Sequence, residues 1–304
     1  MRVLVRILSA IAVLALLGAA LFWIPPHVQT RRIAPPLPSR DELRGLLAVA
    51  GGPTRVRTLT IASQPSPRGT IGHTVFLAEW PDGRAFMLDA GMDHAAADDF
   101  AGMLKTMAGA GEAAFFGDVA DQLGADLQRV QGVGFTHLHI DHTQGVGAFC
   151  KARGQGAAVY QTHWQIEEHN FNTREGAKII ADSCLEPRAL AGDGGLLAEP
   201  GFPGLAVVAL GGHTPDSTLF ALAVQGRLWL FSGDTTNTKA SLLNDVGKGF
   251  LYSYVLVPEN TARTHELRQW LAKLDAEDDI SVVVSHDLDD ILANGPPAYV
   301  KARR

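Results

Sequence analysis

Four side chains of the types that bind metal ions fall within six residues near the middle of the chain. The sequence THLHIDH covers residues 136–142 and follows a short apolar strand. His137 and His139 project to the same side of the strand end, because side chains alternate with a period of two, so both can reach one ion. Asp141 and His142 lie on the following turn and can face a second ion. Imidazole and carboxylate suit zinc and its first-row neighbours, so we predict two divalent ions, Zn²⁺ first, with iron or manganese as alternatives.

Three later segments offer the remaining ligands that such a centre needs. His213 lies in GGHTP, Asp234 in FSGDT and His286 in VSHD, and each follows an apolar strand. A ligand just past a strand, often with glycine beside it, lets backbone and ion come close. A single histidine is more often a hydrogen-bonding core residue than a ligand, but this placement recurs in order along the chain. His73 precedes a strand and is a weaker candidate to line the cleft.

The run HxHxDH, followed by separate His, Asp and His segments, resembles the metallo-β-lactamase superfamily. The resemblance extends from about Arg55 to Leu292. It implies an α/β fold, classed as α+β in some schemes: an αββα sandwich of two packed sheets flanked by helices, with the metals in a cleft at one sheet edge. We therefore expect the catalytic domain over residues 55–304.

The same resemblance assigns roles to the candidate ligands. It implies that His137, His139 and His213 hold one ion, that Asp141, His142 and His286 hold the other, and that Asp234 bridges them. Asp89, in MLDAG, matches a family turn beneath the site, where it would orient a ligand or loop. Two ions about 3.5–4 Å apart would supply a bridging hydroxide as nucleophile near neutral pH. Asp141 and Asp234 are thus the predicted catalytic residues, and Asp141 can also carry a proton to the leaving group.

The surroundings of Asp234 favour a lactone or related carboxylic ester as the small-molecule substrate. A bridging aspartate in an SGDT context resembles lactonases and hydroxyacylglutathione hydrolases more than true β-lactamases. Two positions depart from that pattern: Asn237 stands where such lactonases carry a tyrosine, and Asp216 replaces the glycine of the usual HTPG. Asn237 is a candidate substrate contact, or a cap for a helix over Lys239–Leu243. Asp216 would change the turn or add an acid near the rim.

The segment Gln161–Leu185 is the expected source of specificity. Trp164 and Phe171 would form an apolar wall for an acyl chain, or they belong to an amphipathic helix packed on the sandwich. Alternative substrates on this fold are thioesters, β-lactams, phosphodiesters and sulfate esters. An iron-dependent sulfur oxidoreductase and a tethered binding protein with a spent site are weaker alternatives, the latter because every ligand position is filled.

The N-terminus lies outside the catalytic fold. Arg2 and Arg6 precede an uncharged apolar run from Ile7 to Ile24, which at about 1.5 Å per residue reaches roughly 27 Å, close to the hydrocarbon thickness of a bilayer. Residues 1–24 are therefore a signal anchor or a cleaved signal peptide, and both export the domain. The proline-rich residues 25–54 predict an extended spacer with one short helix over Asp41–Val49.

Strands and helices interleave through the rest of the chain, as in a layered α/β domain. Thr74–Glu79 and Arg84–Leu88 flank a turn over Trp80–Gly83 and should form an antiparallel hairpin. Helical spacing covers Ala95–Ala110, Asp118–Gln128 and Thr264–Lys273, and further strands are predicted over Gly132–Thr136, Ala157–Gln161, Leu205–Leu210, Thr218–Val224, Leu228–Ser232 and Ile280–Ser285.

The net charge indicates which partners the protein does not bind, and the cysteine content bears on the compartment in which it folds. Without Arg2 and Arg6, 24 basic side chains face 32 acidic ones, a net charge of −8, so nucleic acid is not an expected partner. Cys150 and Cys184 are the only cysteines. In an oxidising compartment they could pair, but the sequence alone leaves open whether they do or remain two separate buried thiols.

Overall fold

Two β-sheets packed face to face form the centre of the structure, a computed structural model that describes residues 2–192 and 194–301. The strands within the described residues are β1 (Arg55–Ser66), β2 (Gly69–Glu79), β3 (Ala85–Leu88), β4 (Ala114–Phe115), β5 (Val130–Gly134), β6 (Ala157–Gln161), β7 (Leu185–Ala189), β8 (Leu197–Ala198), β9 (Leu205–Ala209), β10 (Thr218–Val224), β11 (Arg227–Phe231) and β12 (Ile280–Val283). The larger sheet has the order β4-β1-β2-β3-β5-β6-β7, and the smaller has the order β12-β11-β10-β9-β8.

Each sheet mixes antiparallel and parallel pairs. β2 pairs antiparallel with β1 and β3, which confirms the predicted hairpin, whereas β3, β5, β6 and β7 run parallel. In the smaller sheet β10 lies antiparallel between β9 and β11, and β12 runs parallel to β11. The carboxyl ends of β3, β5, β11 and β12 can therefore meet at one edge of the sandwich.

Alternating side chains of the inner strands fill both faces of each sheet. Phe76 and Phe86 belong to the core between the sheets, while the adjacent Leu77 and Met87 belong to the outer core of the larger sheet. The ring centroids of Phe76 and Phe231, from opposite sheets, lie 4.5 Å apart. The central layer is thus closed by aromatic rings.

Gly134, at the end of β5, is required by this central packing. A Cβ atom there would lie 2.4 Å from the ring of Phe220, far inside van der Waals contact. The absence of a side chain lets β5 approach the smaller sheet immediately before the histidine-rich loop. The ligands of that loop are thereby brought toward those of the second sheet.

Helices cover the outer faces of the two sheets. The helices of the described residues are α1 (Arg2–Arg32), α2 (Arg40–Arg44), α3 (His94–Ala108), α4 (Val119–Leu123), α5 (Ile140–Thr143), α6 (Val146–Arg153), α7 (His163–Glu167), α8 (Arg174–Ala181), α9 (Lys239–Leu243), α10 (Thr261–Asp275) and α11 (Leu288–Asn294), with a π-helical segment over Leu251–Leu256. Apolar residues of α4, α6 and α8 pack on the larger sheet, and those of α2 and α10 pack on the smaller one. The expected αββα sandwich is confirmed.

One predicted helix is shorter than expected. Asp118–Gln128 divides into α4 and a 3-10 segment, Gly124–Arg129, because Gly124 takes a positive φ of 53° that ends α4. Helical spacing in the sequence continues through this position, so the break was not evident from the pattern.

The N-terminal helix α1 is long and apolar enough to cross a membrane, and it is the one such helix among the described residues. Its most apolar window has a mean hydropathy of 2.6, and none of that window is buried against the protein. A signal sequence also meets these requirements of length and composition. The apolar N-terminal helix expected from the sequence is therefore present.

Residues 25–32 belong to α1 rather than to the extended spacer expected over residues 25–54, whereas the short helix expected over Asp41–Val49 is present as α2 and a 3-10 segment, Gly45–Ala48. α1 continues through Pro25 and Pro26 to Arg32 because side chains of this region bond to the domain. Trp23 Nε1 donates to the carbonyl of Val255 at 3.1 Å, and a ring nitrogen of His27 lies 3.0 Å from the carbonyl of Tyr254. These tertiary contacts outweigh the local preference of proline for a helix end.

The residues after α1 also pack on the domain. Ile33 is buried, and the guanidinium of Arg263 donates to the carbonyls of Pro35 and Leu210 at 2.6 and 3.0 Å. A Cβ on Gly211, whose φ is 63°, would lie 2.4 Å from the Ile33 carbonyl oxygen. The segment is therefore a packed part of the fold beside the His213 loop.

Candidate metal centre

All seven candidate ligands gather at one edge of the sandwich, and both sheets contribute. The larger sheet supplies the loop after β5. The smaller sheet supplies the loops after β9, β11 and β12. The structure thus brings together His137, His139, Asp141, His142, His213, Asp234 and His286.

Asp234 lies between two sets of imidazoles. Its Oδ1 is 3.0 Å from His286 Nε2 and 3.6 Å from His142 Nε2, whereas its Oδ2 is 3.7 Å from His213 Nε2. Ligand atoms about 2.1 Å from a tetrahedral ion lie roughly 3.4 Å from one another. The two oxygens therefore have the spacing of a carboxylate that serves two ions.

Three groups of donor atoms are close enough to hold an ion, each with all atoms within 4.8 Å of one another. The groups are His137, His139 and His213; His137, His142 and Asp234; and His73, Asp141 and His286. Asp141 Oδ2 is also 3.6 Å from His142 Nε2 and 3.4 Å from His286 Nε2. The donor positions fit two neighbouring ions.

Buried atoms without partners test whether a cation fits this space. The Nε2 atoms of His137, His139, His142 and His213, together with Asp234 Oδ1, are buried with no hydrogen-bond partner among the described residues. Burying an unsatisfied polar atom costs about 1–3 kcal/mol, and most such atoms in native proteins are bonded. These buried atoms all offer lone pairs to the same space. A cation bound there would give each of them the partner that buried polar atoms normally have.

Three of the histidines are held by a second partner on the other ring nitrogen. His142 Nδ1 lies 2.9 Å from Asp89 Oδ2, His213 Nδ1 lies 2.6 Å from Glu259 Oε1, and His286 Nδ1 lies 2.8 Å from the carbonyl of Gly72. An Nδ1–H that donates to such an acceptor leaves the Nε2 lone pair facing the centre. These bonds fix the tautomer and the orientation that a ligand needs.

Asp89 lies directly beneath the histidine loop. Its Oδ1 accepts from the backbone N–H of Thr136 at 2.7 Å, and its Oδ2 faces His142. The residue has a φ of 62°, a strained conformation for a non-glycine residue. The carboxylate connects the end of β5 to a candidate ligand.

Burial and mutual charge set the protonation of the cluster. Burial and the neighbouring His213 lower the pKa of His139 to about 3. Burial alone would raise the pKa of Asp234, but His286 and Lys248 hold it well below its usual value. Burial alone would lower the pKa of His142, but Asp89 and Asp141 raise it well above its usual value. Asp234 is therefore ionised, whereas His142 carries an additional proton. A divalent cation that binds His142 would displace this proton.

His73 belongs to the cluster, which the sequence only weakly suggested. It lies inside β2 rather than before a strand, and its Nδ1 is buried 3.4 Å from Asp141 Oδ2. The strand is held there because Gly72 N–H donates to the His286 carbonyl at 3.1 Å. The feature of the sequence that could have indicated this role is a histidine within an otherwise largely apolar strand.

Lys248, Tyr252 and Glu259 complete the surroundings and were missed by sequence reasoning. The Lys248 side chain is 4% exposed, with Nζ 3.7 Å from Asp234 Oδ2 and 3.6 Å from Glu259 Oε1. The Tyr252 ring stacks on His213 with centroids 6.3 Å apart, and Lys248 Nζ lies 4.9 Å from the centroid of the Tyr252 ring. Tyr252 lies on the π-helical segment, a rare conformation that is frequent at functional sites.

The predicted substrate contacts have other environments. Asn237 is exposed, and Thr238 rather than Asn237 caps α9. Trp164 packs on His163 with ring centroids 3.9 Å apart, whereas Phe171 stacks on Phe22 of α1 at 5.2 Å. The two aromatic rings thus have different partners.

A cluster of histidines and aspartates at the edge of an αββα sandwich defines a class of metal-dependent hydrolases. The chain belongs to the metallo-β-lactamase superfamily, whose family model matches residues 68–286. Among curated proteins, no match is found.

Solved structures share the fold at low sequence identity. An N-acyl homoserine lactone hydrolase with N-hexanoyl-L-homoserine at its catalytic metal centre is 14% identical, with a TM-score of 0.58 over 80% of this chain and 96% of that one. A mutant of AiiA from B. thuringiensis, with N-decanoyl-L-homoserine bound at its active site, is also 14% identical, with a TM-score of 0.58 over 80% of this chain and 96% of that one. A probable metal-dependent hydrolase from Staphylococcus aureus is 13% identical, with a TM-score of 0.50 over 83% and 99%.

Proposed function

We propose that the protein is an exported, membrane-anchored hydrolase that uses two divalent ions to open a lactone or a related carboxylic ester. The observation that carries the proposal is Asp234, whose two oxygens face separate sets of histidines. A bridging carboxylate favours ester chemistry over β-lactam chemistry, as the sequence indicated. Zn²⁺ is the expected ion, since the donors are imidazole and carboxylate.

The proposed ligands follow the geometry. His137, His139 and His213 would hold one ion, Asp141, His142 and His286 would hold the other, with His73 as an additional donor, and Asp234 would lie between them. When bound, the two ions supply Lewis acidity and a nucleophilic water near neutral pH. Asp89, Glu259 and the carbonyl of Gly72 orient the histidines through their second nitrogens.

The chain's own polar groups complete the reaction. The water oxygen bonds to the acyl carbon, the acyl carbon–oxygen bond breaks, and the proton of the water passes through an Asp141 oxygen to the leaving oxygen. The Tyr252 hydroxyl would donate to the substrate carbonyl oxygen, and Lys248 would add positive charge beside it. Tyr252 would thereby supply the hydroxyl that Asn237 does not.

The substrate class also draws support from structural neighbours. One of them holds the product N-hexanoyl-L-homoserine at its catalytic metal centre, and another holds N-decanoyl-L-homoserine at its active site. We extend this chemistry to the present chain because Asp234 would provide a bridging carboxylate and Tyr252 would provide a hydroxyl donor at the same centre.

Export and anchoring are supported by two features. α1 is continuous through the small residues Gly18–Ala20 and is bonded to the domain at Trp23 and His27. Cys150 and Cys184 form a disulfide, which persists in oxidising compartments. We expect the chain to resist alkaline extraction from membranes and to keep its N-terminus; release into the soluble fraction after cleavage would contradict anchoring.

The activity is tested by proton release from lactones, simple esters, thioesters and β-lactams, with the full chain loaded with zinc in detergent. We expect release on a lactone or ester that a chelator abolishes and zinc restores. An Asp234→Asn variant is the matched control and should lose this activity. If no compound releases protons, the proposal fails and phosphodiesters, sulfate esters and iron chemistry become the next candidates.

A further inference from the structure

We propose that the cleft opens at the membrane surface and takes amphiphilic lactones or esters directly from the bilayer. The inference rests on the proposed anchor and hydrolase activity. It follows from an apolar surface around the end of α1, the apolar collar, formed by the partly buried Trp23 and the exposed residues Phe22, Phe171, Phe250, Leu251 and Val255.

Contacts with α1 set the depth of this surface. The uncharged run of α1 ends at Ile24, so Phe22 and Trp23 lie in its last turn, at the boundary of the hydrocarbon. Phe171 stacks on Phe22 with centroids 5.2 Å apart, and Val255 accepts from the Trp23 indole at 3.1 Å. If the uncharged run of α1 spans the bilayer, Phe171 and Val255 must lie at the same depth as Phe22 and Trp23, at the boundary of the hydrocarbon.

The collar is apolar and open to its surroundings. Phe250 is 75% exposed and Leu251 is 62% exposed. Contiguous exposed apolar surface marks a contact with a membrane or partner. Lipid is the occupant that we infer, because the entirely unburied apolar part of α1 emerges from the same surface and requires lipid around it. Tryptophan at this level is typical of a membrane interface.

The collar is directly connected to the candidate metal centre. Tyr252 follows Leu251 and stacks on His213, while Val255 is on the same π-helical segment. The Asn172 amide donates to the carbonyl of Leu256 at 2.9 Å and so holds the Phe171 loop to this segment. An ester head group can thus reach the centre while its acyl chain stays among lipids.

The membrane contact is tested without activity, so its outcome does not depend on the proposed reaction. A single cysteine is introduced as Phe250→Cys in the full chain and labelled with a fluorophore; the native cysteines are paired and do not react. In nanodiscs with doxyl-labelled phosphatidylcholine we expect at least twofold quenching. Val300→Cys is the matched control, since Val300 is also 75% exposed and lies beside Tyr299 and β1, away from the α1 contacts. Equal quenching at both positions, or none at Phe250, would overturn the proposal.

Substrate extraction is tested by kinetics on two forms of substrate. Phe250→Ser should lower turnover of a long-chain lactone in vesicles at least tenfold, while turnover of a short-chain soluble lactone stays within twofold of the wild type. Val300→Ser should change neither. Equal losses on both substrates, or no loss on the vesicle substrate, would overturn direct extraction; inactivity of the wild type on every ester would instead refute the proposed function.

Discussion

Tyr252 is the residue that we propose polarises a substrate carbonyl. Its ring stacks on His213, with ring centroids 6.3 Å apart. Burial first, and then the nearby carboxylates of Asp234 and Glu259, raise the pKa of Tyr252 well above its usual value, so the phenol keeps its proton. A protonated hydroxyl is a hydrogen-bond donor across the neutral pH range.

We therefore expect Tyr252→Phe to lower kcat about 100-fold, the usual effect of removing one donor to a developing oxyanion. The metal content should be unchanged, because no ligand is altered. Steady-state kinetics and elemental analysis measure the two quantities. Tyr254→Phe is the control, since the Tyr254 hydroxyl lies 3.1 Å from Thr261 Oγ1 and should not affect turnover. Equal kcat values for Tyr252→Phe and the wild type would refute this role.

His73 is expected to contribute to the binding of the second ion. Its Nδ1 lies 3.4 Å from Asp141 Oδ2, in the same donor group as His286. His73→Ala should lower the metal content of the purified protein from about two ions toward one, as removal of a ligand weakens a site. His94→Ala, an exposed histidine on α3, should keep both ions. Full occupancy and unchanged affinity in His73→Ala would show that His73 is not a ligand.

Asp216 should make stability depend on pH. It is fully buried rather than at the rim of the cleft, and burial raises its pKa to about 6. In the unfolded chain its pKa is about 3.9, so between about pH 4 and pH 6 the folded state binds more protons and stability falls as pH rises. The difference between these two pKa values corresponds to a loss of about 3 kcal/mol of unfolding free energy by pH 7.

Asp216→Asn removes this titration but keeps an oxygen for the Leu138 N–H, which donates to Asp216 Oδ2 at 3.1 Å. The stability of the variant relative to the wild type should therefore increase by about 2–3 kcal/mol from pH 4 to pH 7. Denaturant unfolding in detergent at several pH values measures this difference. A difference that does not change with pH would contradict the assignment.

At the scale of elements, the disulfide joins α6 to the beginning of β7. Cys150 and Cys184 have Cα atoms 5.6 Å apart and are separated by 34 residues in sequence. Cross-linking a loop of this length lowers the entropy of the unfolded chain by an amount worth about 4 kcal/mol. The sequence left this pairing open, because spacing alone does not fix the distance between two helices or strands.

We expect the double variant Cys150→Ser, Cys184→Ser to lose about 3–4 kcal/mol of unfolding free energy. Guanidinium unfolding in detergent measures the loss. The wild type in the presence of a reductant is the control and should approach the stability of the variant. Unchanged stability in both would mean that the bond forms without constraining the unfolded chain.

For the whole molecule, the candidate centre connects the two sheets. His137 and His142 follow a strand of the larger sheet, whereas His213, Asp234 and His286 follow strands of the smaller one. Ions held at this edge should therefore stabilise the packing of one sheet on the other, since binding to the folded state alone shifts unfolding.

Removal of the ions with a chelator should lower the unfolding temperature, and zinc should restore it. At a free ion concentration of about 1,000 Kd, binding contributes about 4 kcal/mol. Calorimetry of the chelated and reloaded protein measures the shift. In Asp234→Asn the shift should be smaller, because this substitution weakens the residue that we propose binds both ions. An identical unfolding temperature with and without metal would show that the centre does not couple the sheets.

The sequence by itself indicated a layered α/β domain and the seven candidate ligands, and its resemblance to the metallo-β-lactamase superfamily implied the αββα sandwich. This was possible because five of the ligands lie in loops that follow strands, whereas Asp141 and His142 lie in α5, the short helix next in the chain. Local alternation and turn composition therefore predict both the elements and the side chains beside them. Strands that follow a regular pattern also predicted the hairpin between β2 and β3, which the structure confirms.

Only the tertiary structure decided the rest of the site and the position of the N-terminal segment. His73, Lys248, Tyr252 and Glu259 reach the centre from a strand interior and from an irregular segment with no periodic signal. α1 continues through its prolines because distant residues bond to it, as Val255 does to Trp23. Such contacts join residues far apart in the chain, and their free energies depend on packing that no local pattern contains.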